Sequence, residues 1–129
     1  VSTRTGRQAE LHCTSAGKAI LAHTDRDDVR EILDKRGLPK RTDQTITDRT
    51  EFMNRLDEVQ ERGIAFNDEE RLRGLRAVGA PILDYDDNVL GAISLSGPTT
   101  RLRGERFREE LPNLIMQSAD VINIRTQYS

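Results

Sequence analysis

Leu75-Arg76-Ala77-Val78-Gly79-Ala80-Pro81-Ile82-Leu83, then Asp84-Tyr85-Asp86-Asp87-Asn88, then Val89-Leu90-Gly91-Ala92-Ile93-Ser94-Leu95, is the stretch that decides the fold. The hydrophobic pattern changes period here, and the first run is apolar nearly throughout, so it predicts a strand, Leu75 to Leu83. Asp86-Asp87-Asn88 is a tight turn, and Val89 to Leu95 returns as a second strand, which makes an antiparallel hairpin. Gly97-Pro98 stops the second strand because proline has no N–H for a ladder. Just upstream, Ile64 to Asn67 predicts a further short strand.

Helices lie on either side of these strands. Thr14 and Ser15 are good N-caps for a short apolar helix, Ala16 to Ala22. Thr24 and Asp25 cap a second, with Val29, Ile32 and Leu33 on one face and Gly37 at its end. Asp48, with Glu51 three residues on, opens a third, whose narrow stripe is Phe52, Leu56 and Val59 and whose stop is Gly63. Phe107, Leu111, Leu114, Ile115, Ser118, Ile122 and Arg125 share one helical line, which predicts a last helix over about 108–126 with Pro112 in its first turn. Helices, then antiparallel strands, then a closing helix spell an α+β fold: one antiparallel sheet with helices packed on it.

Composition limits the function. The 129 residues suit one domain, and 20 Lys and Arg nearly cancel 22 Asp and Glu, leaving a net charge of -2. That balance offers no basic face for DNA phosphates. No apolar run approaches the roughly 20 residues of a membrane span. A single cysteine, Cys13, forms no internal disulfide and points to a reducing, cytoplasmic setting. Val1 to Gly6 reads as the tail of a strand with no start signal, so a fragment of a longer protein is expected.

Four groups of residues could carry chemistry. Leu11-His12-Cys13-Thr14-Ser15-Ala16-Gly17-Lys18-Ala19 places free N–H groups at a helix start, where a carboxylate or phosphate is favoured. Cys13 beside His12 suggests a nucleophile and its base. Neighbours on an extended segment point to opposite faces, however, which argues against both catalysis and a zinc site built from His12, Cys13 and His23. Asn67-Asp68-Glu69-Glu70 followed by Arg71, Arg73 and Arg76 reads as a loop of mutual ion pairs, with Asn67 alone able to turn an amide inward. Ser94 and Ser96 share one strand face, opposite Ile93 and Leu95. Their hydroxyls face either solvent or a pocket; Leu75 and Ala77 on the adjoining strand would supply apolar lining for the latter.

Taken in order, these segments resemble the effector-binding domain of the IclR-type transcription regulators, named for the isocitrate lyase regulator. The segments are Leu11 to Ala19, Gly37-Leu38-Pro39, Thr45-Ile46-Thr47, Glu61-Arg62-Gly63-Ile64-Ala65, Asn67 to Glu70, Gly74-Leu75-Arg76-Ala77-Val78, Ala80-Pro81-Ile82 and Ile93 to Pro98. The resemblance implies a GAF-like (or PAS-like) sensory fold across 1–129, with the first strands of the domain and the DNA-binding winged helix-turn-helix domain absent from this sequence. It implies a small-molecule effector, a small carboxylate or an aromatic acid, and assembly as a homo-oligomer, dimer or tetramer. DNA would be bound only through the missing N-terminal domain; no membrane, cofactor, metal or catalysis is implied. Carried over, Ser15, Ala16 and Gly17 would offer N–H groups, Ser94 and Ser96 hydroxyls, Leu75 and Ala77 a floor, and Asn67 a polar contact. Regulators of small keto acids carry an Asp and a Cys where this sequence has Asn67 and Ala77. The rival expectations are a ligand-free GAF-like dimerisation module and a small hydrolase using Cys13.

Overall fold

The computed structural model describes residues 10–128, with side chains described as far as residue 122. The strand tail expected at Val1 to Gly6 therefore lies outside the described residues, and so does the side chain of Arg125. Helices α1 (Ser15–Ala22), α2 (Arg26–Arg36) and α3 (Arg49–Arg62) precede strands β1 (Ala65–Asp68), β2 (Leu75–Leu83) and β3 (Val89–Pro98). Helix α4 (Leu111–Tyr128) closes the chain.

The helix ends follow local chemistry. Thr14 caps α1 by accepting from the Gly17 N–H, Asp25 caps α2 by accepting from Asp27, and Asp48 caps α3 by accepting from Glu51. Gly63 ends α3 in the left-handed conformation, at φ 74°, where a side chain would be strained. The last helix starts differently from the sequence expectation. Arg106–Glu110 is a π-helical turn, in which the Leu111 N–H reaches the Arg106 carbonyl, and it runs directly into α4. Pro112 accounts for this: it has no N–H, and its ring crowds the carbonyl four residues back, so the wider turn relieves the contact.

The sheet is antiparallel in the order β1-β2-β3. Strand β3 extends three residues beyond the expected end at Leu95, to Pro98, because Ser96, Gly97 and Pro98 pair with Ala77, Arg76 and Leu75. A register shift at Ile82/Leu83 matches Gly91 to Ile82 and Val89 to Leu83, so Leu90 bulges out of the ladder. Alternation then assigns the two faces. Val78, Ala80 and Ile93 pack on Phe107, Leu111, Ile115 and Ala119. On the other face, Ala65 and Ala92 join a core made by Ala19, Leu21, Val29, Leu33, Phe52, Leu56 and Val59 from α1, α2 and α3. The sheet thus lies between α4 and the first three helices.

Candidate functional site

Register places the polar residues of the sheet. Asn67 pairs with Ala77, which pairs with Ser96; Ala65 pairs with Gly79, which pairs with Ser94. Paired residues share a face, so these two rows, with Leu75, look toward α1. Ala77 is buried, Leu75 and Ser94 are half-buried, and Ser96 is exposed.

Helix α1 is seated on this face through glycine. A Cβ on Gly79 would stand 3.0 Å from the Ser15 carbonyl carbon and 3.1 Å from its Oγ. Gly17 is needed for a second close approach, since its Cβ would lie 2.4 Å from the Leu11 carbonyl oxygen. The start of α1 therefore touches β2 directly, one strand from Ser94. Among the expected donors, the Gly17 N–H is held by Thr14 Oγ1 at 3.1 Å. The Ser15 and Ala16 N–H groups have no hydrogen-bond partner among the described residues. They remain at the positive end of the helix dipole.

A buried polar network fixes the arrangement. Asn67 does turn its amide inward, but both ends meet backbone: Nδ2 donates to the Cys13 carbonyl at 2.7 Å and Oδ1 accepts from the Glu70 N–H at 2.9 Å. It ties the loop before α1 to the loop after β1. Lys18, fully buried in α1, donates to both Glu70 carboxylate oxygens at 2.7 and 2.9 Å and to the Phe66 carbonyl. Burial lowers the Lys18 pKa, against the opposing pull of Glu70. Thr42 and Thr45 donate to the Glu69 and Glu70 carbonyls. Sequence reasoning passed over Lys18, Thr42 and Thr45. The signal for Lys18 was its place in an otherwise apolar helix, where a cation requires a buried anion. The expected ion pairs around this loop form in part: Arg76 meets Asp68, and Arg73 meets Asp43 on another loop.

The expectation that His12 and Cys13 diverge is corrected. Residues 11–14 are bent rather than extended. Glu10, His12 and Cys13 consequently bring one donor atom each within 4.8 Å of one another. His23 takes no part, hydrogen-bonding within α1 to the Ala19 carbonyl and lining a different cavity with Ala80 and Met116. The Cys13 thiol is raised to about 11, by burial first and by the Glu10 charge second. That is the reverse of an activated nucleophile.

The family profile described as "Bacterial transcriptional regulator IclR C-terminal" matches residues 1–124. The chain belongs to the IclR C-terminal family. Its similarity to the HTH-type transcriptional regulator KdgR of Escherichia coli K12 is 37% identity over 107 residues, covering 83% of this chain and 41% of that protein. Among solved structures, the IclR of Thermotoga maritima superposes with a TM-score of 0.85 at 30% identity, covering 97% of this chain and 50% of that one. The inducer-binding domain of a PobR double mutant from Acinetobacter, in complex with 3-hydroxybenzoic acid, gives 0.83 at 28% identity, covering 89% and 66%. The chain spans less than half the length of the curated relatives it matches. Those relatives are transcription regulators, and this IclR C-terminal domain is a regulatory module, not an enzyme. Among the described residues, no helix is long and apolar enough to cross a membrane.

Proposed function

We propose that this domain senses a small carboxylate or aromatic acid for a DNA-binding regulator of the cytoplasm. The observation that carries the reading is the seating of Ser15 on Gly79: it brings two unpartnered N–H groups to the face that bears Ser94 and Ser96. The effector's acidic group would take the Ser15 and Ala16 N–H groups and the two hydroxyls, and its body would rest on Leu75 and Ala77. Gly17 and Asn67 serve the site by shaping the backbone around it. The inducer complex of PobR supports the ligand class, because that protein binds an aromatic acid on the same fold.

The domain would act as part of a dimer or tetramer, with DNA held by a winged helix-turn-helix segment outside this chain. The effector must bind two arrangements of the assembly unequally, since equal binding shifts nothing. The competing reading is a GAF-like dimerisation module that takes no ligand.

A thermal-shift screen of small aliphatic and aromatic acids separates the two. A ligand at 100 times its Kd raises stability by about 2.7 kcal/mol. Ser94→Ala with Ser96→Ala is expected to reduce that shift while leaving the ligand-free melting temperature near its original value. Flat melting curves across both acid classes, from protein that contains the whole regulator, would leave only the dimerisation module.

A further inference from the structure

The bend before α1 gathers three residues that the sensing site does not use. His12 and Cys13 are buried, and Glu10 is half-buried at the rim. His12 Nε2 lies 2.7 Å from the Pro39 carbonyl, which can only accept, so Nε2 is the donor in that bond and Nδ1 is the ring nitrogen left to serve a metal. Neither that nitrogen nor the Cys13 thiol has a hydrogen-bond partner among the described residues. Arg41 Nε donates to one Glu10 oxygen at 2.7 Å, and the Thr14 hydroxyl holds the Glu10 carbonyl. The cluster adjoins a cavity of about 490 Å³ lined by Glu10, His12, Leu21, Leu33, Arg36 and Arg41.

We propose that Glu10, His12 and Cys13 form a three-ligand site for a zinc-class divalent cation, with the fourth position open to this cavity. The donor set is the argument. A thiolate and an imidazole suit zinc or cobalt and are foreign to magnesium and calcium, which take oxygen ligands. A histidine whose other nitrogen donates to a backbone carbonyl has the orientation found in metal-ligating histidines, and the Arg41 contact to Glu10 plays the corresponding part for the carboxylate. Tetrahedral zinc at ordinary bond lengths sets one sulfur, one nitrogen and one oxygen donor about 3.3 to 3.6 Å apart, so donors within 4.8 Å need to close by up to about 1.5 Å. Binding places the metal on sulfur and releases the Cys13 proton to solvent. Three protein ligands with an open fourth position leave room for water or an anionic group from the cavity.

Cobalt titration of the metal-free chain tests this. With one cysteine in the sequence, a near-ultraviolet sulfur-to-cobalt charge-transfer band can come only from Cys13. The expected result is that band at one equivalent, displaced by zinc. Competition against a chromophoric chelator should show zinc Kd rising at least about tenfold in Cys13→Ser and in His12→Gln. Glu10→Gln, a rim substitution that leaves the buried pair in place, should weaken binding as well, and His23→Gln should not. Circular dichroism on each variant separates lost ligands from lost folding. A folded chain that shows no charge-transfer band in excess cobalt, or an unchanged zinc Kd in the folded Glu10, His12 and Cys13 variants, overturns the proposal.

Discussion

Gly79 lies directly beneath Ser15, so close that a methyl group on it would stand 3.0 Å from the Ser15 carbonyl carbon. The obstacle is backbone at a helix start, which cannot swing aside as a side-chain tip would. Gly79→Ala should therefore lift α1 from β2, costing about 1–3 kcal/mol as an overpacked core site does. Urea unfolding measures the cost. In the proposed sensing function the same variant should lose effector response out of proportion to its stability, because it separates the Ser15 and Ala16 N–H groups from the serine strand.

Lys18 and Glu70 form the second constraint. Their side chains are 0% and 6% exposed, so removing one leaves the other as an unpaired charge out of water. Lys18→Met should destabilise the domain by about 3–5 kcal/mol, whereas Lys18→Met with Glu70→Leu should cost less than the single change. Denaturant unfolding of the two proteins gives the comparison. A double variant less stable than Lys18→Met would mean that the hydrogen bonds of Glu70, including the one it accepts from the Asp68 N–H, outweigh its burial cost.

Asn67 holds two loops, and its polarity is specific. Asn67→Asp exchanges the Nδ2 donor for an oxygen facing the Cys13 carbonyl, while the bond from the Glu70 N–H survives. A cost of about 1–3 kcal/mol is expected from the unsatisfied acceptor pair. Partial recovery is expected when pH falls far enough to protonate the new carboxyl, since the protonated form can donate again. Thermal unfolding over a pH series reads both effects.

The fold was legible where its causes are local. The spacing of Val29, Ile32 and Leu33 with caps at Asp25 and Gly37 contains all that α2 needs, and the apolar run Leu75 to Leu83 gave β2 its observed bounds. Tertiary pairing was not legible in the same way. Strand β3 runs on to Pro98 only because β2 offers Leu75 as a partner, and the π turn before α4 arises from the ladder behind Pro112. At the site, period-two alternation correctly put Ser94 and Ser96 on one face, whereas Gly17, expected to offer its N–H to an acid, gives that N–H to Thr14 and makes room for the Leu11 backbone instead. The engagement of Asn67 by two backbone groups and the convergence of Glu10, His12 and Cys13 depend on a four-residue bend whose geometry comes from contacts distant in sequence. Alternation assumed an extended chain there and gave the wrong facing.

Cys13 should be chemically quiet in metal-free protein. With its thiol raised to about 11, only about one molecule in a thousand carries the thiolate at pH 8. Alkylation by iodoacetamide should be far slower than for a small free thiol and should accelerate on addition of denaturant. Rapid labelling of the native chain at pH 8 would contradict the burial and return Cys13 to consideration as a nucleophile.

Acid should loosen the hairpin turn from one residue. Asp84 Oδ1 accepts from the Asn88 and Asp86 N–H groups at 2.9 Å each, and these bonds, Asn88 first, hold its pKa below the ordinary carboxylate value. A carboxyl whose folded pKa is depressed contributes stability that is fully present above its unfolded value, and loses it as pH falls through the folded one. The turn should therefore be intact near neutrality and weaken only below the ordinary aspartate range. Amide chemical shifts of Asp86 and Asn88 through an acid titration should move together with a midpoint below that range, and Asp84→Asn should abolish the shared transition. If the two amides titrated at the ordinary aspartate value instead, the carboxylate would not be closing this turn. The neighbouring Asp87, held at φ 62°, would then have lost the hydrogen bonds that flank its left-handed backbone.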